Sequence, residues 1–312
     1  MHAIRRLDII LNPISGRRRM RRFAAAFVQR LERTFKSVRL FETRGRGDAA
    51  ALAARSTAEP AETRADVLVV VGGDGTVREA ADGLISGSFR PIDDREIKDV
   101  GPPILIVPCG TENVLAKYFG LAPDEDLLLD AMQSGRLHAL NVSLCNQHRF
   151  LFVAGVGFDS EIVRRVEVAR RGHSSYFSYV RPVLQTLWNH DPATIRVDID
   201  GIRVFEGRGL FLAGNISRYA LGLEIFERAD PGDGLLDVVI LAYRRQFGLL
   251  WHALRMLSNQ HVGATGVYYG QGRAIRVESD RTEPLQLDGD LAGATPIEIT
   301  VLRQRVQFLT RQ

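Results

Sequence analysis

Along the first half of this chain, short apolar runs alternate with longer stretches in which apolar residues return every three or four positions. Leu7 to Leu11, Val38 to Phe41, Val67 to Val71 and Ile104 to Val107 have strand length and are rich in β-branched or bulky residues. The third is unbroken, as expected of a strand buried on both faces. Between these runs, Phe23, Ala24, Phe27, Val28 and Leu31 mark the inner face of a helix from about Arg18 to Phe35. Val77, Ala80, Ala81, Leu84 and Ile85 mark another after the third run. An Ala-rich helix from Asp48 to about Thr57, one reaching Tyr118 or Phe119, and one near Asp124 to Gln133 complete the series. Strands and helices taken in turn at this spacing predict an α/β fold, a doubly wound, three-layer domain around a parallel sheet. Asp93 to Gly101, a charged insertion, reads as a surface loop.

After Leu137 the pattern shortens. Strands are expected at His138 to Cys145, Phe150 to Gly155, Thr194 to Ile199, Val204 to Gly207, Leu210 to Gly214 and Leu236 to Leu241. More follow at Arg273 to Glu278, Pro284 to Leu287, Ile297 to Leu302 and Val306 to Leu309. Asn146-Gln147 and Asp200-Gly201 have the composition of hairpin turns. This half predicts an antiparallel, β-sandwich-like domain. Helices from Asp159 to Arg170 and from Ser175 to Trp188 interrupt it. The second carries Tyr176, Phe177, Tyr179, Val180, Val183, Leu184 and Leu187, which suit a core or a hydrocarbon-binding wall, with a kink at Pro182. A third helix, Gln246 to Leu257, reads as packing.

Composition narrows the class. A chain of 312 residues, 45% hydrophobic, buries a large core and suits two domains. It has no apolar run of membrane-spanning length, and Met1 to Arg6 leads straight into a strand rather than a signal peptide. Cys109 and Cys145 have no metal-ligand spacing and suit a reducing cytosol. The seven histidines show no zinc pattern. The net charge of +4 is mild, and no nucleic-acid partner is expected. Arg17, Arg18, Arg19, Arg21 and Arg22 form either a solvated helix face or a site for phosphate and an anionic membrane, at roughly 1 kcal/mol per cation near the surface.

The candidate chemistry lies where strands end. Asn12-Pro13-Ile14-Ser15-Gly16, Gly72-Gly73-Asp74-Gly75-Thr76 and Gly110-Thr111-Glu112-Asn113 each follow a strand of the first half. In doubly wound sheets ligands bind beyond those carboxyl ends. Glycine lets backbone approach a ligand closely, and the free N–H groups of a helix start attract anions. A carboxylate repels phosphate unless a divalent cation lies between them, so Asp74 points to a metal–polyphosphate complex. An ordinary strand–helix turn with Asp74 as N-cap fits the same letters. In the second half, Asp230-Pro231-Gly232-Asp233-Gly234-Leu235-Leu236-Asp237 suits either a turn or a hard-cation site built from a carboxylate and carbonyls. Leu287-Asp288-Gly289-Asp290 suits a hairpin turn or a general base beside a second carboxylate.

In order, Asn-Pro-Ile-Ser-Gly, Gly-Gly-Asp-Gly-Thr-x-x-Glu, Pro-x-Gly-Thr-x-Asn, Gly-x-Gly-Phe-Asp, Asp-Gly-x-x-Asp and Asp-Gly-Asp resemble the diacylglycerol kinase catalytic family over nearly the whole chain. That family includes bacterial lipid kinases and sphingosine and ceramide kinases. The resemblance implies an α/β nucleotide domain of residues 1–136 with 297–312, a β-rich lipid-substrate domain of residues 137–296, and an active-site cleft between them. It implies ATP and Mg²⁺ as cofactors and a lipid substrate met at a membrane surface by a cytoplasmic, peripherally associated protein. It assigns Asn12, Pro13, Ser15, Gly16, Thr43, Gly72, Gly73, Asp74, Gly75, Thr76, Glu79, Gly110, Thr111 and Asn113 to the nucleotide. Asp74 lies near the Mg²⁺–phosphate complex, and Asp233 with the carbonyls of Asp230 and Leu235 matches a structural Mg²⁺ site. Asp288 matches the base for the lipid hydroxyl, with Asp290 beside it, and Asp159 a substrate-side acid. The chain departs from the family pattern at Asp290 for Glu, Val114 for Asp, Arg78 and Asp82 for asparagines, and Asn141 for an acid. A soluble-substrate kinase sharing the Gly-Gly-Asp-Gly-Thr loop, such as NAD kinase, would carry Gly-Ser-Thr-Ala-Tyr where this chain has Gly110-Thr111-Glu112-Asn113. A non-catalytic nucleotide-binding module is the other alternative.

Overall fold

The apolar runs of the first half become the inner strands of a parallel sheet. A computed structural model describes residues 4–88, 97–169, 191–219 and 222–311. They divide into two units, Met1–Val142 with Arg303–Gln312, and Ser143–Leu302. The first contains β1 (Arg6–Leu11), α1 (Arg18–Thr34), β2 (Ser37–Glu42), α2 (Asp48–Ala58), β3 (Val67–Gly72) and α3 (Asp74–Gly87). It continues with β4 (Lys98–Asp99), β5 (Ile104–Pro108), α4 (Val114–Tyr118) and α5 (Glu125–Ser134). Strand order is β2-β1-β3-β5, all parallel. β3 and β5 are buried at every position, which is why they read as unbroken apolar runs. Among the described residues β2 has a neighbour on one side only, and it admits Arg39 and Glu42.

Small residues set how the first unit's helices pack. A Cβ on Gly83 would lie 2.1 Å from the Ala50 carbonyl oxygen, and one on Gly87 2.6 Å from that of Ala54. α2 and α3 therefore touch backbone to backbone. The charged insertion is not wholly loop: Lys98 and Asp99 pair with Gln304 and Arg305, and the Arg305 guanidinium donates to Asp99 at 2.9 Å. A polar, two-residue strand leaves no periodic signal.

The second unit is antiparallel. β6 (Leu137–Cys145) leaves the first unit at Val142 and enters the second, whose further elements are β7 (His148–Phe150), β8 (Val153–Val156), α6 (Phe158–Ala169), β9 (Thr194–Ile199) and β10 (Ile202–Gly214). Then come β11 (Leu236–Ala242), α7 (Gln246–Leu257), β12 (Val267–Gly272), β13 (Ala274–Ser279), β14 (Pro284–Leu287), β15 (Asp290–Ala294) and β16 (Ile297–Leu309). The end of β16 belongs to the first unit, where Phe308 pairs with Ile104 of β5. One sheet runs β15-β14-β8-β10-β11-β12 and the other β10-β9-β13-β16, with β10 bending from one to the other. Ile195, Val197 and Val277 of one sheet meet Phe211, Val238 and Leu285 of the other in a shared core. This is a β sandwich.

Several expected boundaries differ. Val204–Gly207 and Leu210–Gly214 are one strand, because Gly207 and Gly209 interrupt the apolar pattern without interrupting the ladder. At Gly209 a Cβ would meet the Leu241 carbonyl oxygen at 2.4 Å, so glycine permits the close approach at the bend. The two terminal strands likewise merge into β16. The expected Phe150–Gly155 strand is split into β7 and β8, because the N–H groups of Leu151 and Phe152 turn to the Asp288 carboxylate instead of a ladder. β12 and β15 were not expected, being rich in glycine or small residues. The helix expected at Ser175–Trp188, with its apolar wall, lies outside the described residues. α7 corrects a reading: among its described side chains only Leu249, His252 and Met256 are buried, and five large apolar residues face outward instead of packing. Among the described residues, no helix is long and apolar enough to cross a membrane.

Candidate functional site

In the first unit the parallel strands deliver three loops to one sheet edge, and contacts lock these loops together. Gly16, at φ 75°, lies against the Cys109 carbonyl oxygen, 2.2 Å from where a Cβ would stand. A Cβ on Gly73 would be 3.0 Å from the Gly110 Cα, and one on Gly110 2.6 Å from the Gly73 Cα. The Asn12 amide donates to the Thr76 hydroxyl at 3.0 Å, and the Cys109 N–H to the Gly72 carbonyl at 2.8 Å. Asn113, in the left-handed region at φ 50°, accepts from the Gly110 N–H at 2.8 Å and donates to the Gly110 carbonyl at 2.9 Å. Asn12, Gly16, Gly72, Gly73, Thr76, Gly110 and Asn113 thus form one assembly. Pro13 and Ser15 lie in the first of its loops, Gly75 and Thr111 are exposed in the second and third, and Glu79 is half-buried on α3. Thr43 stands apart at the end of β2, lining a cavity of about 560 Å³ with Phe41, Arg44, Asp48, Leu52 and Arg55. Arg17, Arg18, Arg19, Arg21 and Arg22 are all exposed.

Asp74 does not cap its own helix. It is the first residue of α3, after Gly73, and its carboxylate accepts from the N–H groups of Val114 at 3.1 Å and Leu115 at 3.3 Å. It therefore caps α4 and ties the second loop to the third. Burial pushes its carboxyl above the usual range, against the pull of those two hydrogen bonds. Burial also raises Cys109 to about 11 and Cys145 to about 12, so neither thiol is a nucleophile near neutral pH.

The second unit holds the other acids in two places. In the Asp230–Asp237 turn, Asp230 accepts from the Gly232 N–H at 2.9 Å and Asp233 from the Leu235 N–H at 2.8 Å. Burial raises the Asp233 carboxyl, and the charges of Asp230 and Asp237 raise it further. Asp233 is exposed, and its carboxylate and the carbonyls of Asp230 and Leu235 are oxygens of the kind a hard cation takes. Among the described residues no group of three His, Cys, Asp or Glu side chains is arranged around one metal position, so any cation here relies on backbone oxygens. Asp237 has another role: buried, it accepts from the Tyr269 hydroxyl and from Gln271 at 3.1 Å, joining β11 to β12.

Asp288 and Gly289, at φ 51° and 85°, form a two-residue hairpin turn between β14 and β15, with Leu287 opposite Asp290. One Asp288 oxygen accepts from the Leu151 N–H at 2.8 Å; the other accepts from Phe152 at 2.9 Å and Val153 at 3.0 Å. Behind the turn, the Gln286 amide oxygen accepts from the Gly289 N–H at 2.9 Å while its nitrogen donates to Asp159 at 2.7 Å. The other Asp159 oxygen accepts from the Tyr219 hydroxyl. Burial raises the Asp159 carboxyl despite these bonds. Asp159, half-buried, is therefore linked to the Asp288 turn through Gln286. Sequence reasoning missed Gln286 and Tyr219. The one available signal was a polar residue within the apolar Pro284–Leu287 run; Tyr219, in a loop, gave none.

A doubly wound unit with interlocked glycine loops, continued by a β sandwich, defines a two-unit kinase fold. Residues 6–145 match the diacylglycerol kinase catalytic domain, and residues 153–310 match the YegS C-terminal NAD kinase beta sandwich-like domain. The chain belongs to the diacylglycerol kinase catalytic domain family. It is 26% identical to a diacylglycerol kinase of Bacillus subtilis, over 98% of this chain and 96% of that protein. With a diacylglycerol kinase of Staphylococcus carnosus it shares 24% identity over 98% of this chain and 95% of that one. A crystal structure of a diacylglycerol kinase from Bacillus anthracis superposes with a TM-score of 0.69 at 17% identity, covering 100% of this chain and 98% of that chain; this likeness is one of fold.

Proposed function

We propose that this protein transfers the γ-phosphoryl group of ATP to a lipid hydroxyl, that of diacylglycerol or a related lipid. The observation that carries the reading is the interlocking of three glycine-bearing loops at one sheet edge in a chain of this family. Phosphoryl transfer depends mainly on positioning and charge neutralisation. The assembly around Asn12, Ser15, Gly16, Gly72–Thr76, Gly110, Thr111 and Asn113 offers backbone to phosphate without side-chain obstruction, and Glu79 borders it on α3. The cavity beside Thr43 suits the nucleoside. Mg²⁺ neutralises phosphate charge when bound; Asp74 is the residue to hold it there, and Asp233 with the Asp230 and Leu235 carbonyls would hold a structural ion. Asp288 takes the proton of the attacking hydroxyl, its position fixed by three N–H groups, while Asp290 supports it and Asp159 braces the turn from behind.

The test follows ATP consumption and phosphorylated product with diacylglycerol, phosphatidylglycerol, sphingosine, ceramide and NAD as acceptors, with Mg²⁺ present. Phosphate on a lipid hydroxyl and none on NAD is the expected result. Phosphorylation of NAD alone would make this a soluble-substrate kinase. ATP binding with no acceptor used would leave a nucleotide-binding module.

A further inference from the structure

Helix α7 keeps a large apolar surface in the open. Phe247 is 80% exposed, Leu250 47%, Trp251 55%, Leu254 51% and Leu257 70%. Their spacing of three and four residues places them along one stripe, while Leu249, His252 and Met256 face the sandwich. His252 anchors that inner face through the Ala242 carbonyl at 3.0 Å. A cluster of this kind on a folded unit marks a surface that meets something else.

We propose that the outer face of α7 docks on an anionic phospholipid bilayer; the choice of a bilayer rests on the lipid-kinase reading. Charge supports it. From Val238 to Gly272 the chain has no Asp or Glu but has Arg244, Arg245 and Arg255. Arg244 and Arg245, both exposed, directly precede the helix. The Arg255 guanidinium stacks over the Trp251 ring, 5.1 Å from its centroid. A tryptophan beside a cation suits the headgroup level, and a helix with apolar residues on one side and arginines at its start suits the plane of the interface. Area argues against a second copy of the chain as occupant. Five partly exposed side chains present on the order of 500 Å², short of the ~800 Å² per partner of a standard protein interface. A bilayer has no such requirement, because each inserted side chain contributes separately.

The experiment uses the full chain, without ATP, and vesicles of phosphatidylcholine with or without phosphatidylglycerol. Wild type should float with the phosphatidylglycerol vesicles. Trp251→Ser combined with Leu254→Ser should weaken that binding at least about tenfold, with the chain still folded by circular dichroism at the assay temperature. Arg244→Gln combined with Arg245→Gln should remove the preference for anionic vesicles. Turnover on a short-chain diacylglycerol dissolved as monomers should stay at the wild-type level in all of these variants. Vesicle binding unchanged by the serine pair overturns the proposal, as does equal wild-type binding to neutral and anionic vesicles. A wild-type dimer that the serine pair dissociates, with vesicle binding intact, would assign the face to a second copy. Failure of the lipid-kinase reading is separate: docking would persist with no lipid phosphorylated.

Discussion

Two Asp-Gly hairpins in the second unit have the same local sequence and conformation but different surroundings. Asp200-Gly201 joins β9 to β10 with φ values of 50° and 80°; Asp288-Gly289 joins β14 to β15 with 51° and 85°. In each, the aspartate N–H donates to a carbonyl of a neighbouring segment at 2.8 Å, Ala274 for Asp200 and Val153 for Asp288. In each, the carboxylate accepts from consecutive N–H groups there: Arg273 and Ala274 for Asp200, and Leu151 to Val153 for Asp288. The differences lie beyond the turn. Asp200 is exposed and uses one oxygen for both bonds; Asp288 is half-buried and uses two oxygens for three. Only the Asp288 turn has Gln286, Asp159 and Tyr219 in a chain of hydrogen bonds behind it. A turn signal in sequence thus identifies a shape, and the partners decide whether that shape is available for chemistry.

The largest expected contrast is in turnover. A positioned general base contributes roughly 10²–10⁴-fold, so Asp288→Asn should lose about that much kcat with the ATP affinity nearly unchanged. Asp200→Asn should keep wild-type kcat. Stability controls for the structural role. An Asn oxygen can replace the single Asp200 oxygen, whereas at 288 the amide turns its own N–H₂ toward one set of backbone donors. Asp288→Asn should therefore lose about 1–2 kcal/mol in urea titration, and its kcat is to be measured well below its midpoint. Near-normal turnover of Asp288→Asn on every lipid tested would make the two hairpins equivalent and move the base elsewhere.

Much of the fold was legible because burial on both faces writes itself as unbroken apolar runs, as in β3 and β5, and on one face as helical periodicity, as in α1. Legibility failed where glycine carries a strand through a bend, as in β10, or where polar residues form one, as in β4. The loops of the first unit were readable because backbone-to-backbone approach at Gly73 and Gly110 demands glycine itself. The carboxylate partners were not. Asp74 is capped by N–H groups about 40 residues away and Asp288 by some 135–137 away, and any residue but proline supplies a backbone N–H. Nor did the pattern separate the buried side of α7 from its bare side, since leucines lie on both.

The next contrast is Gln286, which has no counterpart at the Asp200 hairpin. Gln286→Leu preserves the apolar volume while leaving the Gly289 N–H and an Asp159 oxygen without their partner, at a cost of about 1–3 kcal/mol. A turn tip freed from its brace should also misplace the base, lowering kcat roughly 10–100-fold with the KM for ATP unchanged. Gln286→Glu keeps an oxygen for Gly289 but sets a second carboxyl against Asp159, so its activity should recover as pH is lowered. Loss of stability in Gln286→Leu without loss of kcat would show that Gln286 only packs, and the two hairpins would differ less than their hydrogen bonds suggest.

The smallest effect concerns the half-buried carboxyl of Asp159, behind one hairpin and absent behind the other. Burial raises the Asp159 pKa in the folded protein. A carboxyl with a raised folded pKa binds its proton more tightly when folded, so its contribution to stability declines as pH rises from the ordinary aspartate value of about 3.9 through the raised value. Asp159→Asn removes that titration and keeps the geometry, with the amide oxygen toward Gln286 and the amide nitrogen toward the Tyr219 hydroxyl. Other carboxyls titrate equally in both proteins, so the difference between their melting temperatures isolates this one. From pH 4 upward, wild type should lose stability relative to Asp159→Asn, most steeply just above the ordinary range and levelling off beyond the raised pKa. Parallel melting curves from pH 4 to 8 would mean that hydrogen bonds from Tyr219 and Gln286 outweigh burial, leaving Asp159 an ordinary ionised brace for the Asp288 turn.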